Sequence, residues 1–558
     1  MKAIYKTLLA TAVLVPSMTS CVEEVFPSNA ITEEQLHESD KSIEALVWAM
    51  PAFMNNYNTQ GGGNAYDWGY GSIMHIRDVM TGDFAVVNSS YDWYTAWEQN
   101  TYIGEGYAST QFIWNFLTQM VLTTNNLIGS IDEENASEEQ LQYLGAAHAY
   151  RAAIYLDMAR MYEYCYLDVN PSSLNGDGKD VLGLTVPIVT EKTTEEESRN
   201  NPRVPHMEMS EFILSDLTKA ETFLENAGTI SKTIPNLAVV YGLYARLHLW
   251  NGGFLSEPWN GGNGNAEYNL AAQYARKAIM QSGASPLTES EWLSTTNGFN
   301  DISTSSWLWG ATSMKENDVV QSGILNWTSW ASNETTYGYA SAGPFSMISS
   351  YYYNRISDTD FRKLSYIAPE GSALEGKEPV IDQAYAEKKL KEYYSLKFRP
   401  GQGNMEDYTV GSACSYPLMR VEEMYFIEAE ATAHTSPAAG AQLLADFMTK
   451  YRDPDYVIKA SGEEDVVEEI FFQKSIELWG EGQNYFDLKR LGYPVTRSNS
   501  TNYYSAARLD TSGRPAWLNF VIVQTEGTNN TAIYYYNNPD PSQFPLIVTP
   551  DEDEDEED

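Results

Sequence analysis

The residues best suited to chemistry in this sequence are aromatic rings set among amides, carboxylates and a guanidinium. One stretch, Gly61 to Gln99, holds Asp67, Trp68, Arg77, Trp93 and Trp97, with Asn100 directly after it. A second, between residues 284 and 415, holds Trp307, Trp309, Trp327, Trp330 and Tyr337. Flat rings can cover the C–H face of a sugar while Asn, Asp, Gln or Arg groups hydrogen-bond the surrounding hydroxyls. Trp97 and Asn100 place a ring and a polar partner three residues apart and are the first choice for such a platform. The loop "SEPWNGGNGNAEY" around Trp259 is a third place of this kind. Packing is the simpler role for any one tryptophan, and the expectation is that at least one forms a platform.

Other chemistries have weaker support. "DVNPSSLNGDGKD" sets Asp168, Asn170, Asp177 and Asp180 in a glycine-containing loop of calcium-binding type, but Ser173 stands where an EF-hand has glycine and no glutamate closes it. A structural Ca2+ is the most this loop could hold, and no metal or cofactor is assigned. His37, His75, His148, His206, His248 and His434 are scattered without zinc spacing. No nucleophile elbow, phosphate loop or dinucleotide fingerprint occurs, so an enzyme is not expected. A carboxylate pair for glycoside hydrolysis could still be drawn from the 76 acidic residues.

The N-terminus carries a different chemistry. Lys2 and Lys6 precede the short apolar run "LLATAVLV", and "SMTSC" places small residues before Cys21. This is a lipoprotein export signal, with cleavage before Cys21 and acylation of that residue. The apolar run is far shorter than the roughly 20 residues of a membrane-spanning helix, and no other stretch qualifies. Acyl chains on Cys21 would anchor the mature chain instead.

The elements that must position the ring-bearing loops are helices. "QFIWNFLTQMVLTTNNLIGSI" and, after the capping segment "NASEEQ", "LQYLGAAHAYRAAIYLDMARMY" both repeat apolar residues at three- and four-residue steps. Alanines 146, 147, 149, 152, 153 and 159 allow a neighbouring helix to come close. "HMEMSEFILSDLTKAETFLENAG", "IPNLAVVYGLYARLHLWNGG" and "NLAAQYARKAIMQSG" follow, each read as ending at glycine. "YPLMRVEEMYFIEAEATAH", "PAAGAQLLADFMTKYR" and "EEDVVEEIFFQKSIELWGEGQNYFDLKRLG" form a late group. The expected fold is mostly α, a tetratricopeptide-like superhelix of helix pairs with a loop-rich, partly β insertion. The boundaries are a signal at 1–20, a helical region at 21–283, the aromatic-rich insertion at 284–415, a second helical region at 416–545 and an acidic, disordered tail at 546–558.

Composition narrows the partners. A formal net charge of −41 repels phosphate backbones and excludes nucleic acid. Cys165 and Cys414 permit one disulfide at most, so packing must hold the fold. Arg151, Arg420, Glu423, Glu477, Asp487 and Arg490 fall beside apolar helix faces, where a charge persists only when paired, and are read as structural ties.

Together these segments resemble the SusD/RagB family over nearly the whole mature chain. In "SIELWGEGQNYFDLKRLG" the residues Ile476, Glu477, Leu478, Glu481, Gly482, Phe486, Asp487, Leu488, Arg490 and Gly492 match its late pattern, and "YPLMRVEEMYFIEAEA" and "RAAIYLDMARMY" match two others. Gly480 and Asn484 depart from the usual residues. The resemblance implies an outer-membrane lipoprotein that captures oligosaccharides and delivers them to a SusC-like TonB-dependent transporter, with ligand bound where the two ring-rich segments meet. It also implies that Glu23 and Glu24, just after the anchor, go with display on the cell exterior. Capture of peptides or another nutrient beside the same transporter, and glycoside hydrolysis, are the alternatives.

Overall fold

The computed structural model describes residues 40–89, 94–98 and 102–544. Cys21, Glu23, Glu24, Trp93, Asn100 and the acidic tail lie outside the described residues. Among the described residues, the helices of eight residues or more are α1 Asp40–Phe53, α2 Tyr70–Val79, α3 Ala108–Gly129, α4 Glu138–Tyr162, α5 His206–Leu224, α6 Leu237–Ser256, α7 Asn265–Ser282, α8 Val421–Thr435, α9 Pro437–Tyr451, α10 Glu463–Glu477 and α11 Asn484–Leu491. Four short strands accompany them: β1 Phe84–Val86, β2 Trp307–Thr312, β3 Ser346–Ile348 and β4 Ser415–Arg420. The fold is mostly helical, as the periodicity predicts.

Helix α4 begins where "NASEEQ" predicts. Ser137 Oγ accepts from the Gln140 amide at 3.2 Å, and Gln140 Oε1 accepts from the Ser137 amide at 2.9 Å. This reciprocal pair satisfies donors that a helix start leaves open. Successive helices then pack in a chain, α3 on α4, α4 on α5, α5 on α6 and α6 on α7. Small residues set the spacing: a Cβ on Gly145 would lie 2.8 Å from Leu224 Cγ, so α4 and α5 touch backbone to side chain there. Helices α7 and α8 also pack together, although more than a hundred residues separate them in sequence. The aromatic-rich insertion therefore leaves the helical stack and returns to it. Its two ends are tied by the antiparallel β2–β4 ladder, and β1 of the first ring-rich segment pairs with β3 inside the insertion, Ala85 opposite Met347.

Three local expectations are corrected. Helix α6 does not stop at Gly253 but runs through Gly252 and Gly253 to Ser256, because a neighbour needs their missing side chains: a Cβ on Gly252 would lie 2.5 Å from the Tyr268 ring, and one on Gly253 2.4 Å from Arg490 Cγ. "YPLMR" is the strand β4, not a helix; Pro417 sits opposite Gly310 where the β2 register shifts, a place where its missing donor costs little. The late helical run is broken after Glu477, with Gly480 at φ 73° and Gly482 at φ 69°, left-handed values suited to glycine.

The motif charges are ties, as their neighbours require. Arg151 of α4 grips Asp216 of α5 through two bonds of 2.8 Å and also reaches Glu191 at 2.7 Å. Arg246 of α6 meets Glu423 of α8 at 2.6 Å. Arg490 meets Glu430 at 2.5 Å and Asp487 at 2.9 Å. Arg420 meets Glu481 at 2.9 Å, and Arg452 meets Glu477 at 2.8 Å. Burial alone would push the Glu477 carboxyl up, yet Arg452, Arg420 and Arg362 hold it well below the usual carboxylate range.

Candidate functional site

The two ring-rich segments do meet, but their tryptophans meet as core. Trp68, Trp97, Trp307, Trp309, Trp327 and Trp330 are each 5% exposed or less. Trp68 donates to the Tyr94 hydroxyl at 2.9 Å, Trp327 stacks on Tyr416 at 4.7 Å, and Trp330 stacks on Tyr339 at 4.4 Å. Trp97 packs on Tyr94 at 5.0 Å, and Trp309 donates to the Thr233 carbonyl at 3.2 Å. The Asp67 carboxylate accepts from the Thr59 hydroxyl and the Gln60 amide, and Arg77 bonds Asp157 at 3.1 Å. Tyr337 is half-buried, edge-on to Tyr408. A sugar platform needs an open ring face; the six tryptophans pack in these positions, while Tyr337 keeps part of its ring open.

The open space lies beside this core, against the β1–β3 ladder. A groove of about 1020 Å³ has walls from Val86–Asn88, from Met347 and residues 367–394 of the insertion, and from Thr501–Tyr504. Its lining tyrosines are Tyr393 and Tyr504, half-buried with part of each ring open, backed by Tyr394 and Tyr503, which are as buried as the tryptophans; none is singled out in the sequence. Their signal, two adjacent Tyr-Tyr pairs in polar surroundings, is weak without the fold.

Tyr393 has the most unusual backbone of the group. Its φ of 70° lies in the left-handed region, which costs a non-glycine residue about 1–2 kcal/mol. The chain holds it there by two hydrogen bonds: its amide donates to Ile367 O at 2.7 Å, and its carbonyl accepts from the Ile348 amide at 3.1 Å. Strain maintained in this way collects at ligand clamps. Tyr394 stacks on Phe345 at 4.7 Å, and the Tyr503 hydroxyl donates to Phe84 O at 2.9 Å. Burial pushes the phenols of Tyr393, Tyr394 and Tyr503 upward, so they remain neutral hydroxyls at physiological pH.

The groove's polar complement comes from short side chains and carboxylates. Asn88, Gln383, Glu387 and Thr501 are exposed on its walls. Asn502 is fixed by donating to Ile348 O at 2.8 Å and accepting from the Ser350 amide at 2.9 Å. Glu392 and Glu375 accept from the amides of Glu370 and Gly371, which organises the loop that forms one wall. Rings, neutral hydroxyls and amides around a concavity of this size can cover several sugar units.

The calcium-type loop is organised for its own turns. Asp168 accepts from the Ser512 amide at 3.0 Å, Asn170 from Ser172 at 3.3 Å and Asp180 from Leu182 at 3.2 Å, each bond local or directed to a different segment. Among the described residues, no group of three or more His, Cys, Asp or Glu is placed to hold a metal ion. Trp259 packs edge-on to Phe254 at 5.2 Å and to Tyr166 at 5.9 Å. Among the described residues, no helix is long and apolar enough to cross a membrane.

Comparison with known proteins places this architecture. A family model described as SusD family matches residues 295–542, and one described as starch-binding associating with outer membrane matches residues 36–249. No curated protein matches the chain. A SusD-like carbohydrate binding protein from Bacteroides vulgatus ATCC 8482 superposes with a TM-score of 0.68 at 20% identity, covering 89% of this chain and 98% of that one. A SusD superfamily protein from Bacteroides thetaiotaomicron VPI-5482 gives 0.64 at 18% identity, covering 88% and 98%. Another from B. vulgatus gives 0.65 at 16% identity, covering 90% and 99%. At these identities the superpositions speak for the fold, while the two matched regions take in both helical blocks and most of the insertion. The chain belongs to the SusD family, whose members are binding proteins rather than enzymes.

Proposed function

We propose that this protein captures oligosaccharides at the cell surface, anchored in the outer membrane through acylated Cys21, and delivers them to a SusC-like TonB-dependent transporter. The observation that carries the reading is the tyrosine-lined groove beside the β1–β3 ladder, where a strained Tyr393 stands among hydroxyls, amides and carboxylates that can hydrogen-bond sugar hydroxyls. The family description, starch-binding associating with outer membrane, and the likeness to a SusD-like carbohydrate binding protein of B. vulgatus support it. The lipobox ending at Cys21 and the acidic pair Glu23–Glu24 support the anchor and its outward display. Trp93 follows the groove-lining Asn88 by five residues in sequence and is retained as a proposed ring contact.

The test is calorimetry with the soluble chain against a panel of neutral oligosaccharides, comparing the parent with Tyr393→Ala and Tyr504→Ala. Truncating a central ring is expected to weaken binding by roughly tenfold or more, by analogy with buried aromatic anchors at interfaces. Circular dichroism should show both variants folded. Parental affinity in both folded variants would remove the groove as the site, and binding of peptides in preference to every sugar would favour the alternative nutrient reading.

A further inference from the structure

Outside the groove, the largest exposed aromatic feature among the described residues is a run of three consecutive tyrosines. Tyr534, Tyr535 and Tyr536 are 58%, 54% and 39% exposed, and the first two rings meet edge to face at 4.8 Å. Single exposed rings are ordinary on a surface; a contiguous exposed set asks for a reason.

The turn that carries them is fixed from beneath. The buried Arg203 donates to Tyr536 O and to Asn538 Oδ1, both at 2.8 Å, and spends its other donors on the carbonyls of Thr185, Tyr162 and Leu184. Asn175 donates to the carbonyls of Tyr535 and Asn537 at 2.9 Å. Asn537 and Ile522 exchange two bonds of 2.8 and 2.9 Å, and Asn538 donates to Tyr162 O and Phe520 O. A buried guanidinium without a carboxylate partner is costly, and its role here is to hold backbone. The three rings are therefore presented on a rigid base, the arrangement that lets a binding surface act without an ordering cost.

Chemistry selects the occupant. At those exposures the three rings offer on the order of 300 Å², given about 150–250 Å² for a whole aromatic side chain. That is well short of the about 800 Å² per partner of a stable protein interface, and it suits a few sugar rings. The polar groups nearby are those that sugar hydroxyls bond. Thr531, three residues before the rings, bonds Asn200 at 3.2 Å, and Asn200 lines an open trough of about 720 Å³ walled also by Thr190, Thr193 and Asn201. Lys179 stands 5.5 Å over the Tyr536 ring, Glu105 accepts from Asn537 at 3.2 Å, and Lys192, Glu196 and Glu197 also line the trough, so charges of both signs border the surface.

We propose that the Tyr534–Tyr536 turn and its adjoining trough form a second carbohydrate-contact surface, which takes a short run of neutral sugar units from a glycan longer than the groove can hold. It shares no lining residue with the groove. The proposal rests on the glycan-capture reading, and its consequence is avidity: a polymer held at one place raises its own effective concentration at the other.

The experiment is native gel electrophoresis of the folded chain in gels containing amylopectin, xyloglucan, galactomannan or mixed-linkage glucan, with calorimetry on a short oligosaccharide of whichever polymer retards it. The double variant Tyr534→Ala/Tyr535→Ala is expected to lose polymer affinity by on the order of tenfold while keeping parental affinity for the short oligosaccharide. Retardation equal to the parent's in every retarding polymer would overturn the second surface and leave the groove untouched. Loss of short-oligosaccharide binding in the folded double variant would overturn the division of labour, by making the turn the primary site. A parent that no polymer retards and no oligosaccharide of the four polymers binds would overturn both readings together.

Discussion

Trp327 and Tyr393 belong to the same insertion and have rings of similar chemistry, but their surroundings give them opposite roles. Trp327 touches Trp68, Phe398 and Tyr416 and is 5% exposed, so Trp327→Ala should leave a large cavity and cost about 3–5 kcal/mol in urea unfolding. Tyr393→Ala should barely lower stability, since it removes a half-buried ring at a strained position, and should act on ligand affinity instead. A Trp327→Ala protein as stable as the parent would show that the ring is not core. His75 provides a pH test of the same interior. Burial among the rings of Phe84, Tyr94 and Trp330 pushes its imidazole down to about 3, against 6.5 in an open chain. The unfolded chain takes up a proton that the folded one refuses, so this contribution is complete above pH 6.5 and is lost progressively as pH falls from 6.5 toward 3. Between pH 7 and pH 5 His75 by itself should remove about 2 kcal/mol, on top of whatever the buried carboxyls raised by desolvation contribute. Subtracting the urea-unfolding curve of His75→Leu from the parent's over that interval isolates it, and two parallel curves would mean the ring is hydrated.

At the scale of elements, the long helices were legible because the 3.6-residue period survives in any stack, and Arg151 read as a tie because it stands on an apolar stripe. What periodicity cannot show is which neighbour needs a missing atom. Gly252 looked like a helix end and is a helix interior, because Tyr268 of α7 occupies the space its Cβ would fill. The groove was illegible for a related reason: its walls come from residues 86–88, 347–394 and 501–504, and the β1–β3 ladder, whose strands lie far apart in sequence, brings the first two together. Ring-plus-amide composition describes a packed junction as well as a platform, and burial is a tertiary property, so sequence alone could not show that the tryptophans pack. Gly252→Ala separates propensity from packing. In an open helix interior the change should stabilise by about 0.5–1 kcal/mol. Here a Cβ would sit 2.5 Å from the Tyr268 ring, so thermal unfolding should instead show net destabilisation. A raised midpoint would mean that α6 and α7 can separate without cost.

At the scale of the whole molecule, the charge of −41 must shape which glycans reach the groove. Glu370, Glu375, Glu378, Glu387 and Glu392 line it against the single cation Lys391. Three of these carboxylates accept from loop amides, so they are fixed in place as well as numerous. A neutral oligosaccharide bound by ring faces and hydroxyls has no charge for this field to act on, and its affinity should be nearly indifferent to ionic strength. A polyuronate is different. The Debye length falls from about 10 Å at 0.1 M to about 3 Å at 1 M, so at low salt its carboxylates meet the full repulsion of the groove, and added salt should improve whatever binding remains. The same argument reverses for a de-N-acetylated, cationic oligosaccharide, whose attraction should weaken as salt is added. Calorimetric titration of one neutral, one anionic and one cationic oligosaccharide of similar length, each at 0.05 M and 0.5 M salt, gives three slopes with three expected signs. If the polyuronate bound more tightly than the neutral sugar and lost affinity with added salt, a cationic site would have to exist elsewhere on the surface, and the groove's carboxylates would not be what selects the ligand.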